Sequence, residues 1–238
     1  MTKTVLITGA AVRIGREIAL SMADDGWDVA IHYNRSQKEA AELASCIEQK
    51  KRTALLVQAD LRDEQALTKL IPSLAEQGVA LDCLVNNASL FERDMFPTFS
   101  QESWQAQQDV NLFAPLRLMQ GFAAHYKGKE GNIINITDGM NGPLLAKAFF
   151  SYSVSKFALE QVTTLLVHEL APNIRINAVA AGASLAGKQD KQDTFDNLKK
   201  TIPLQRTSSP QEICDAVRYI LSQPSLTGQV IALSGGVR

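Results

Sequence analysis

The chain has 238 residues, of which 45% are hydrophobic and 21% charged, and its formal net charge at pH 7 is −1. This composition predicts a folded protein with a sizeable core, and the balanced charge offers no basic surface for nucleic acid. No apolar run approaches the roughly 20 residues of a membrane span, and the first run ends too early for a signal peptide. We therefore expect a soluble cytoplasmic protein that binds neither nucleic acid nor membrane.

Short apolar runs alternate with amphipathic stretches along the chain. The apolar runs predict strands at residues 4–8, 28–33, 53–59, 83–87, 132–137, 174–180 and 229–233. The amphipathic stretches predict helices near residues 14–25, 36–50, 63–77, 101–125, 151–170 and 210–222. Continuous apolar strands between helices are typical of a parallel sheet covered on both faces. We predict one doubly wound Rossmann-type α/β domain over residues 1–238, with a seven-stranded parallel sheet and helices on both faces.

The first predicted strand runs into TGAAVRIGR, residues 8–16. Gly9 permits a tight turn and Gly15 lets the following helix pack closely, so the helix N-terminus offers free N–H groups to a pyrophosphate. We assign Gly9, Ile14 and Gly15 to a dinucleotide cofactor. Arg13 stands where such a loop usually has a third glycine, and its side chain is long enough to reach cofactor phosphates or a substrate edge.

The second predicted strand ends in HYNRS, residues 32–36, without the carboxylate that binds a ribose 2′-hydroxyl. Arg35 and Ser36 instead offer a guanidinium and a hydroxyl, which are groups that bind a 2′-phosphate. NADP(H) therefore fits better than NAD(H), and Ser36 also suits the N-cap of the next helix. Asp60 after the third strand either faces the adenine or caps a helix. The predicted cofactor residues at this edge are His32, Tyr33, Asn34, Arg35, Ser36, Asp60 and Leu61.

Tyr152 and Lys156 are four residues apart in a predicted helix, so their side chains share one face. A phenol has an unperturbed pKa of about 10, and a cation one turn away favours the phenolate and lowers that value. Such a phenol can protonate an anion that develops as hydride arrives. The pair follows the fifth strand, whose end NITDGM, residues 135–140, lies at the carboxyl edge where ligands bind.

The polar segment 184–209 is long for a connection inside a compact domain. It is either a substrate loop or lid, or a solvated helix pair. The three cysteines contain no CxxC pair, which indicates neither a disulfide framework nor a metal site.

Five motifs together resemble the short-chain dehydrogenase/reductase family: TGAAVRIG, NNAS at 86–89, Asn111, the Tyr152/Lys156 pair and the terminal TGQVIALSGG. The resemblance spans essentially the whole chain and implies hydride transfer from a nicotinamide cofactor, often in a homotetramer. It also implies that Asn87 and Ala88 line the cofactor site and that Gly182, after the sixth strand, lies there too. Asn111 would support a proton-relay water, Lys156 would hold the nicotinamide ribose, and Tyr152 would donate the proton. The apolar helix 151–170 packs either against a neighbouring subunit or against the sheet.

Departures from the family pattern point to a subgroup. Arg13, the HYNRS segment, NNASLF and Asp138, which stands where the family usually has a serine, are together similar to pteridine reductases and dihydromonapterin reductases. In that subgroup Arg13 would contact phosphate or pterin, Ser89 the cofactor, and Phe91 would stack on the pterin. Ser184 would lie near cofactor and substrate, and Asp138 would orient the substrate and assist protonation. Thr137 is assigned to the cofactor site as well. Alternatively, Thr137 replaces the missing serine hydroxyl, which would leave Asp138 structural.

The resemblance therefore implies an NADPH-dependent reductase that adds hydride to C6 of a dihydropterin, such as dihydromonapterin, dihydrobiopterin or a dihydrofolate, while Tyr152 protonates N5. One alternative is another NADPH-dependent carbonyl reductase, for example of 3-oxoacyl thioesters. Asp138 argues against it, because a neutral donor holds a carbonyl oxygen better than a carboxylate does. A second alternative is a non-catalytic NADP(H) sensor, against which Tyr152, Lys156 and Asn111 argue.

Overall fold

A computed structural model of the chain describes residues 2–185 and 192–237. The strands are β1 Thr4–Ile7, β2 Asp28–Tyr33, β3 Ala54–Gln58, β4 Cys83–Asn86, β5 Gly131–Asp138, β6 Ile174–Ala181 and β7 Val230–Leu233. They form one sheet in the order β3-β2-β1-β4-β5-β6-β7, and every pair of neighbours is parallel. The predicted fold class and its seven parallel strands are confirmed.

Helices connect these strands. They are α1 Arg13–Asp24, α2 Gln37–Gln49, α3 Glu64–Glu76, α4 Gln101–Gln108, α5 Ala114–His125, α6 Pro143–Ala146, α7 Phe150–Leu165, α8 Val167–Leu170, α9 Gln192–Thr201 and α10 Pro210–Ser222. A five-residue π-helical segment, Asp109–Phe113, joins α4 to α5, so the single helix predicted over 101–125 is wrong in this detail. The helix predicted over 151–170 is likewise divided, between α7 and α8.

Two apolar cores lie on opposite faces of the sheet, as the alternation of side chains along a strand requires. Val5 and Ile7 of β1 are fully buried against α1, α2 and α10. Leu6, between them, is fully buried in the other core with residues of α3, α5 and α7. Because both faces of β1 are covered, the strand reads as a continuous apolar run rather than an alternating one.

The strand order reverses at β1, which pairs with β2 on one side and β4 on the other. The loops that follow β1 and β4 therefore diverge and leave a crevice at the carboxyl edge of the sheet. This topology determines where the predicted site residues meet.

Residues 192–201 of the predicted loop 184–209 form α9, which agrees in part with the helical alternative. Residues 186–191 lie outside the described residues, so the substrate lid stays a prediction. Among the described residues, none of the helices is both long and apolar enough to cross a membrane, and no group of His, Cys, Asp and Glu suits a metal ion.

Candidate active site

A cleft of about 1050 Å³ opens at the carboxyl edge of the sheet. The predicted site residues that line it are Gly9, Arg13, Ile14, Gly15, His32, Tyr33, Asn34, Arg35, Ser36, Asp60, Leu61, Asn87, Ala88, Ser89, Phe91, Thr137, Asp138, Tyr152, Lys156 and Gly182. Asn111 and Ser184 are not part of its lining. These segments are distant in the sequence. They meet because each follows the carboxyl end of a strand, beside the crevice where the strand order reverses.

The glycine loop packs tightly against the loop that follows β4. Gly9 has φ of 62°, the left-handed region that glycine enters without cost. A Cβ on Gly15 would overlap the Gly9 carbonyl oxygen and would lie 2.6 Å from Nδ2 of Asn87. In the described structure, no side chain caps the N-terminus of α1 and its first turn has no acidic residue. The first N–H groups of α1 are thus available to an anionic ligand.

Thr8 connects the two loops of the cleft. Its Oγ1 accepts hydrogen bonds from the backbone N–H groups of Asn87 and Ala88, each at 2.9 Å. The Asn87 amide returns a bond from Nδ2 to the Thr8 carbonyl oxygen at 2.8 Å. These bonds hold the loops after β1 and β4 in one arrangement. Thr8 was not predicted as a site residue, because a threonine at the end of a strand is ordinary.

His32 supports the glycine loop from β2. Its Nδ1 accepts from the Gly9 N–H at 3.1 Å, and Nε2 lies 3.2 Å from the Ala59 carbonyl oxygen, which requires the neutral ring protonated on Nε2. Burial lowers its pKa to about 4. Both ring nitrogens are used within the protein, so His32 holds the Gly9 turn in place, and its contact with a cofactor stays a prediction.

Two cations stand at the end of the cleft bordered by β2 and β3. Arg35 is exposed at the mouth, and the hydroxyl of Ser36, although at the N-cap of α2, makes no capping bond among the described residues. Asp60 is paired with Arg62 through Nε and Nη2 at 3.2 and 2.9 Å, which lowers the Asp60 pKa to about 2. The cap of α3 is Asp63 instead of Asp60, so that alternative is wrong. Arg62 was not predicted as a site residue, since an arginine two residues after an aspartate does not by itself indicate a binding site.

Tyr152 and Asp138 form the central pair of the cleft. The Tyr152 hydroxyl donates to Oδ2 of Asp138 at 2.7 Å, while Oδ1 accepts from the Met140 N–H at 2.7 Å. Burial and then the Asp138 carboxylate raise the pKa of Tyr152 well above its usual value. The phenol is therefore protonated throughout the physiological range.

Lys156 does not act on the Tyr152 pKa in the way that the i,i+4 spacing predicted. Its Nζ donates to the Ile136 carbonyl oxygen at 2.9 Å and lies 6.0 Å from the centroid of the Tyr152 ring. Burial lowers the pKa of Lys156 to about 8, against an opposing effect of Asp138. The expectation that Lys156 lowers the pKa of Tyr152 is wrong, because burial and a nearby anion outweigh the cation.

Thr137 and Asp138 are successive residues of β5, so their side chains point to opposite faces of the sheet. Asp138 takes the place beside Tyr152. The Thr137 hydroxyl is buried and has no hydrogen-bond partner in the part of the chain that the structure describes. The alternative in which Thr137 replaces the missing serine beside Tyr152 is therefore wrong.

Phe91 is 51% exposed and forms a wall of the cleft rather than part of the core. It stacks on Phe149 with ring centroids 4.1 Å apart and meets the Tyr152 ring edge-on at 4.6 Å. Phe149 was not predicted as a site residue, because it is distant from Phe91 in the sequence and only the fold brings the two rings together.

Asn111 is fully buried in the π-helical segment and holds the Ser89–Phe91 loop. Its Oδ1 accepts from Leu90 N–H and Ser89 Oγ at 2.8 and 3.2 Å. Its Nδ2 donates to Leu90 O and Ser155 Oγ at 2.9 and 3.0 Å. The side chain is thus fully used within the protein, and the relay water stays a prediction.

Arg13 adopts φ of 56°, which explains why such loops usually have glycine here. Its Nη2 donates to the Leu185 carbonyl oxygen at 3.4 Å. The glycine loop therefore contacts Leu185, the residue after Ser184, although Ser184 itself is not among the residues that line the cleft.

The chain is similar to known oxidoreductases over its whole length. A sequence model described as short chain dehydrogenase matches residues 3–195. A crystal structure of FolM alternative dihydrofolate reductase 1 from Brucella suis, in complex with NADP, is 36% identical, with a TM-score of 0.92 over 98% of this chain and 94% of the other. The 3-oxoacyl-[acyl-carrier-protein] reductase FabG of Staphylococcus aureus is 29% identical over 100% of this chain and 98% of its own. An uncharacterized oxidoreductase of Methylorubrum extorquens is 32% identical over 99% of this chain and 98% of its own.

A Gly15→Ala substitution tests the phosphate cradle. The added Cβ must displace Asn87 or the Gly9 turn, so we expect NADPH affinity to fall at least tenfold, or roughly 1.4 kcal/mol. Gly142→Ala is the matched control, because Gly142 has extended backbone and nothing lies within 4 Å of its added Cβ. Fluorescence titration with NADPH measures both, and equal affinities would contradict the cradle.

His32 predicts a pH dependence of stability. Its pKa falls from 6.5 in the unfolded chain to about 4 in the fold, so protonation favours unfolding. The stabilisation is complete above the unfolded value and is lost as the pH falls toward 4, by about 2 to 3 kcal/mol near pH 4.5. His32→Asn keeps an acceptor for the Gly9 N–H and does not titrate. Urea unfolding at about pH 7 and about pH 4.5 should show a smaller loss in the variant, and equal losses would refute the assignment.

Proposed function

This chain belongs to the short-chain dehydrogenase family, and we propose that it is an NADPH-dependent reductase that converts a dihydropterin into a tetrahydropterin. The observation that carries this proposal is the hydrogen bond from Tyr152 to Asp138. It places an acceptor-only group beside the proton donor, where the family usually has a serine.

The cleft suits NADP(H) by its own construction. At Gly15, α1 packs closely against the Gly9 carbonyl oxygen and the Asn87 side chain. No side chain of the described residues caps the start of α1, so its first N–H groups can bind a pyrophosphate. Arg35 and the Ser36 hydroxyl provide donors of the kind that bind a ribose 2′-phosphate. When bound, NADPH supplies the hydride that the substrate carbon accepts. The FolM structure from Brucella suis, which is complexed with NADP, supports this choice.

Tyr152 is the proton donor in the proposed reaction. Reduction of the C6=N5 bond of a 7,8-dihydropterin adds hydride to C6 and leaves N5 to be protonated. The raised pKa of Tyr152 keeps its proton available for that step at neutral pH. Lys156, with a pKa near 8, holds positive charge close to the phenolate that forms.

Asp138 selects the substrate class. An ionised carboxylate accepts hydrogen bonds and cannot donate them, so it favours a substrate edge rich in N–H groups. A pterin ring has such an edge, whereas a ketone or thioester carbonyl has only acceptors. Phe91 adds a flat aromatic wall to the cleft, against which a planar ring can stack.

The resting site is in the protonation state from which reduction starts. Burial and the Asp138 carboxylate raise the pKa of Tyr152, so the phenol keeps its proton at neutral pH. Alcohol oxidation would start from the phenolate instead, and we therefore expect the enzyme to work as a reductase at neutral pH.

The FolM structures, at 36% identity, support a dihydropterin or dihydrofolate substrate. FabG, at 29% identity over the whole chain, supports the alternative of a 3-oxoacyl thioester reductase.

The proposal also includes a homotetramer. The exposed fractions are 42% for Phe113 of the π-helical segment, and 40% and 73% for Phe157 and Leu165 of α7. These side chains provide apolar surface for a neighbouring subunit, whereas Leu159 of α7 belongs to the core.

A substrate panel tests the function. NADPH oxidation is followed with dihydromonapterin, dihydrobiopterin, dihydrofolate and an acetoacetyl thioester in parallel. We expect turnover of the pterins and little of the thioester, because Asp138 offers the thioester carbonyl no donor. Turnover of the thioester alone would overturn the substrate class, and NADPH binding without any turnover would favour a sensor.

Asp138→Ser tests whether Asp138 selects the substrate class. Restoring a hydroxyl donor should lower pterin kcat/KM at least tenfold, about 1.4 kcal/mol, and raise ketone reduction. Tyr152→Phe is the control, since loss of the proton donor should lower turnover of both substrates by about 10²-fold or more. Parallel changes for both substrates in Asp138→Ser would contradict a selective role.

A further inference from the structure

Asp94 lies where the loop after β4, the start of α4 and the start of α7 meet. Its Oδ1 accepts from the Ser151 backbone N–H at 3.0 Å, and Oδ2 accepts from the Ser103 hydroxyl at 3.3 Å. Its backbone N–H donates to Ala148 O and its carbonyl accepts from Phe150 N–H, both at 3.1 Å. One residue thus bonds through both main chain and side chain to the beginning of α7.

Helix α7 depends on this contact for its N-terminal cap. The residue at its own N-cap position, Phe149, has no capping side chain in the described structure. Asp94, 57 residues earlier in the sequence than Ser151, supplies a carboxylate to the first turn instead. A carboxylate at this end of a sixteen-residue helix satisfies a free N–H group and complements the helix dipole.

The contact also sets the walls of the cleft relative to one another. Asp94 accepts a hydrogen bond from the Ser151 N–H, and Tyr152 is the next residue of α7. Phe91 lies three residues before Asp94 in the loop after β4. On the other side of the junction, Phe149 stacks on Phe91. The Phe91 and Tyr152 rings, 4.6 Å apart, therefore belong to two segments that Asp94 connects.

We propose that Asp94 is a positioning residue that caps α7 from a distant segment and thereby holds the proton donor Tyr152 in register with the aromatic wall Phe91. This inference rests on the proposed function only in the use of Tyr152 as proton donor. It does not require that the substrate is a pterin. Asp94 is not among the residues that line the cleft, although Ser103, from whose hydroxyl it accepts a hydrogen bond, is one of them. Its effect on turnover is therefore indirect, through Ser103 and the start of α7.

Three variants test the inference. Asp94→Ala removes the cap, and Asp94→Asn keeps an oxygen acceptor for the Ser151 N–H without the charge. Asp63→Ala is the matched control, because Asp63 caps α3 through the Gln65 and Ala66 N–H groups, away from Tyr152. Steady-state kinetics use whichever substrate the wild-type enzyme reduces, and NADPH titration measures cofactor affinity.

We expect Asp94→Ala to lower kcat by about 10- to 100-fold, the scale of a misplaced catalytic group, with unchanged NADPH affinity. Asp94→Asn should recover most of kcat, and Asp63→Ala should lose stability without losing kcat. Wild-type kcat in Asp94→Ala, or a parallel loss of kcat in Asp63→Ala, would overturn the proposal.

Hydrogen exchange separates this test from the test of function. Asp94→Ala should speed amide exchange in residues 91–104 and 148–153 together, whereas Asp63→Ala should not. Unchanged exchange in either segment would refute the positioning role. This measurement needs no substrate, so it stands even where the substrate panel shows no pterin reduction.

Discussion

The hydrogen bonds that Thr8 accepts from Asn87 and Ala88 hold the cleft together. The reversal of strand order at β1 sends the two neighbouring loops apart, and such a crevice alone would be a flexible gap. Thr8 closes its base, and His32 supports the Gly9 turn from the other side. Because these groups satisfy one another, the glycine loop is arranged before any ligand arrives, which lowers the entropy cost of binding. The chemistry of the site depends on this fixed base.

Electrostatics at the end of β5 then determines what the site can do. A phenol beside a lysine is suited to either direction of hydride transfer, because its proton is easily lost and regained. Asp138 changes that balance, since it accepts a hydrogen bond from the Tyr152 hydroxyl and makes the phenolate less favourable. A single carboxylate therefore keeps the resting Tyr152 protonated and offers a neighbouring ligand acceptors but no donor. The fold itself is unchanged, which is why function is argued from the site.

The sequence predicted the fold well because buried parallel strands leave a direct trace, a continuous apolar run between amphipathic stretches. It predicted most of the cleft for a second reason: the carboxyl ends of such strands must meet. What it could not predict depends on burial and on long-range contact. The i,i+4 spacing of Tyr152 and Lys156 indicated a shared helix face but not that burial and Asp138 would dominate the Tyr152 pKa. Asp94 and Phe149 carry no local signal, since each acts through a partner distant in sequence.

Arg13 shows how a local cost can serve the whole site. A left-handed backbone at a residue with a Cβ costs roughly 1 to 2 kcal/mol, and glycine would avoid it. Glycine, however, has no side chain that could leave the phosphate loop. The Arg13 guanidinium reaches the Leu185 carbonyl oxygen after β6, at 3.4 Å. The Arg13 side chain therefore connects the glycine loop to the segment after β6, a contact that glycine could not make.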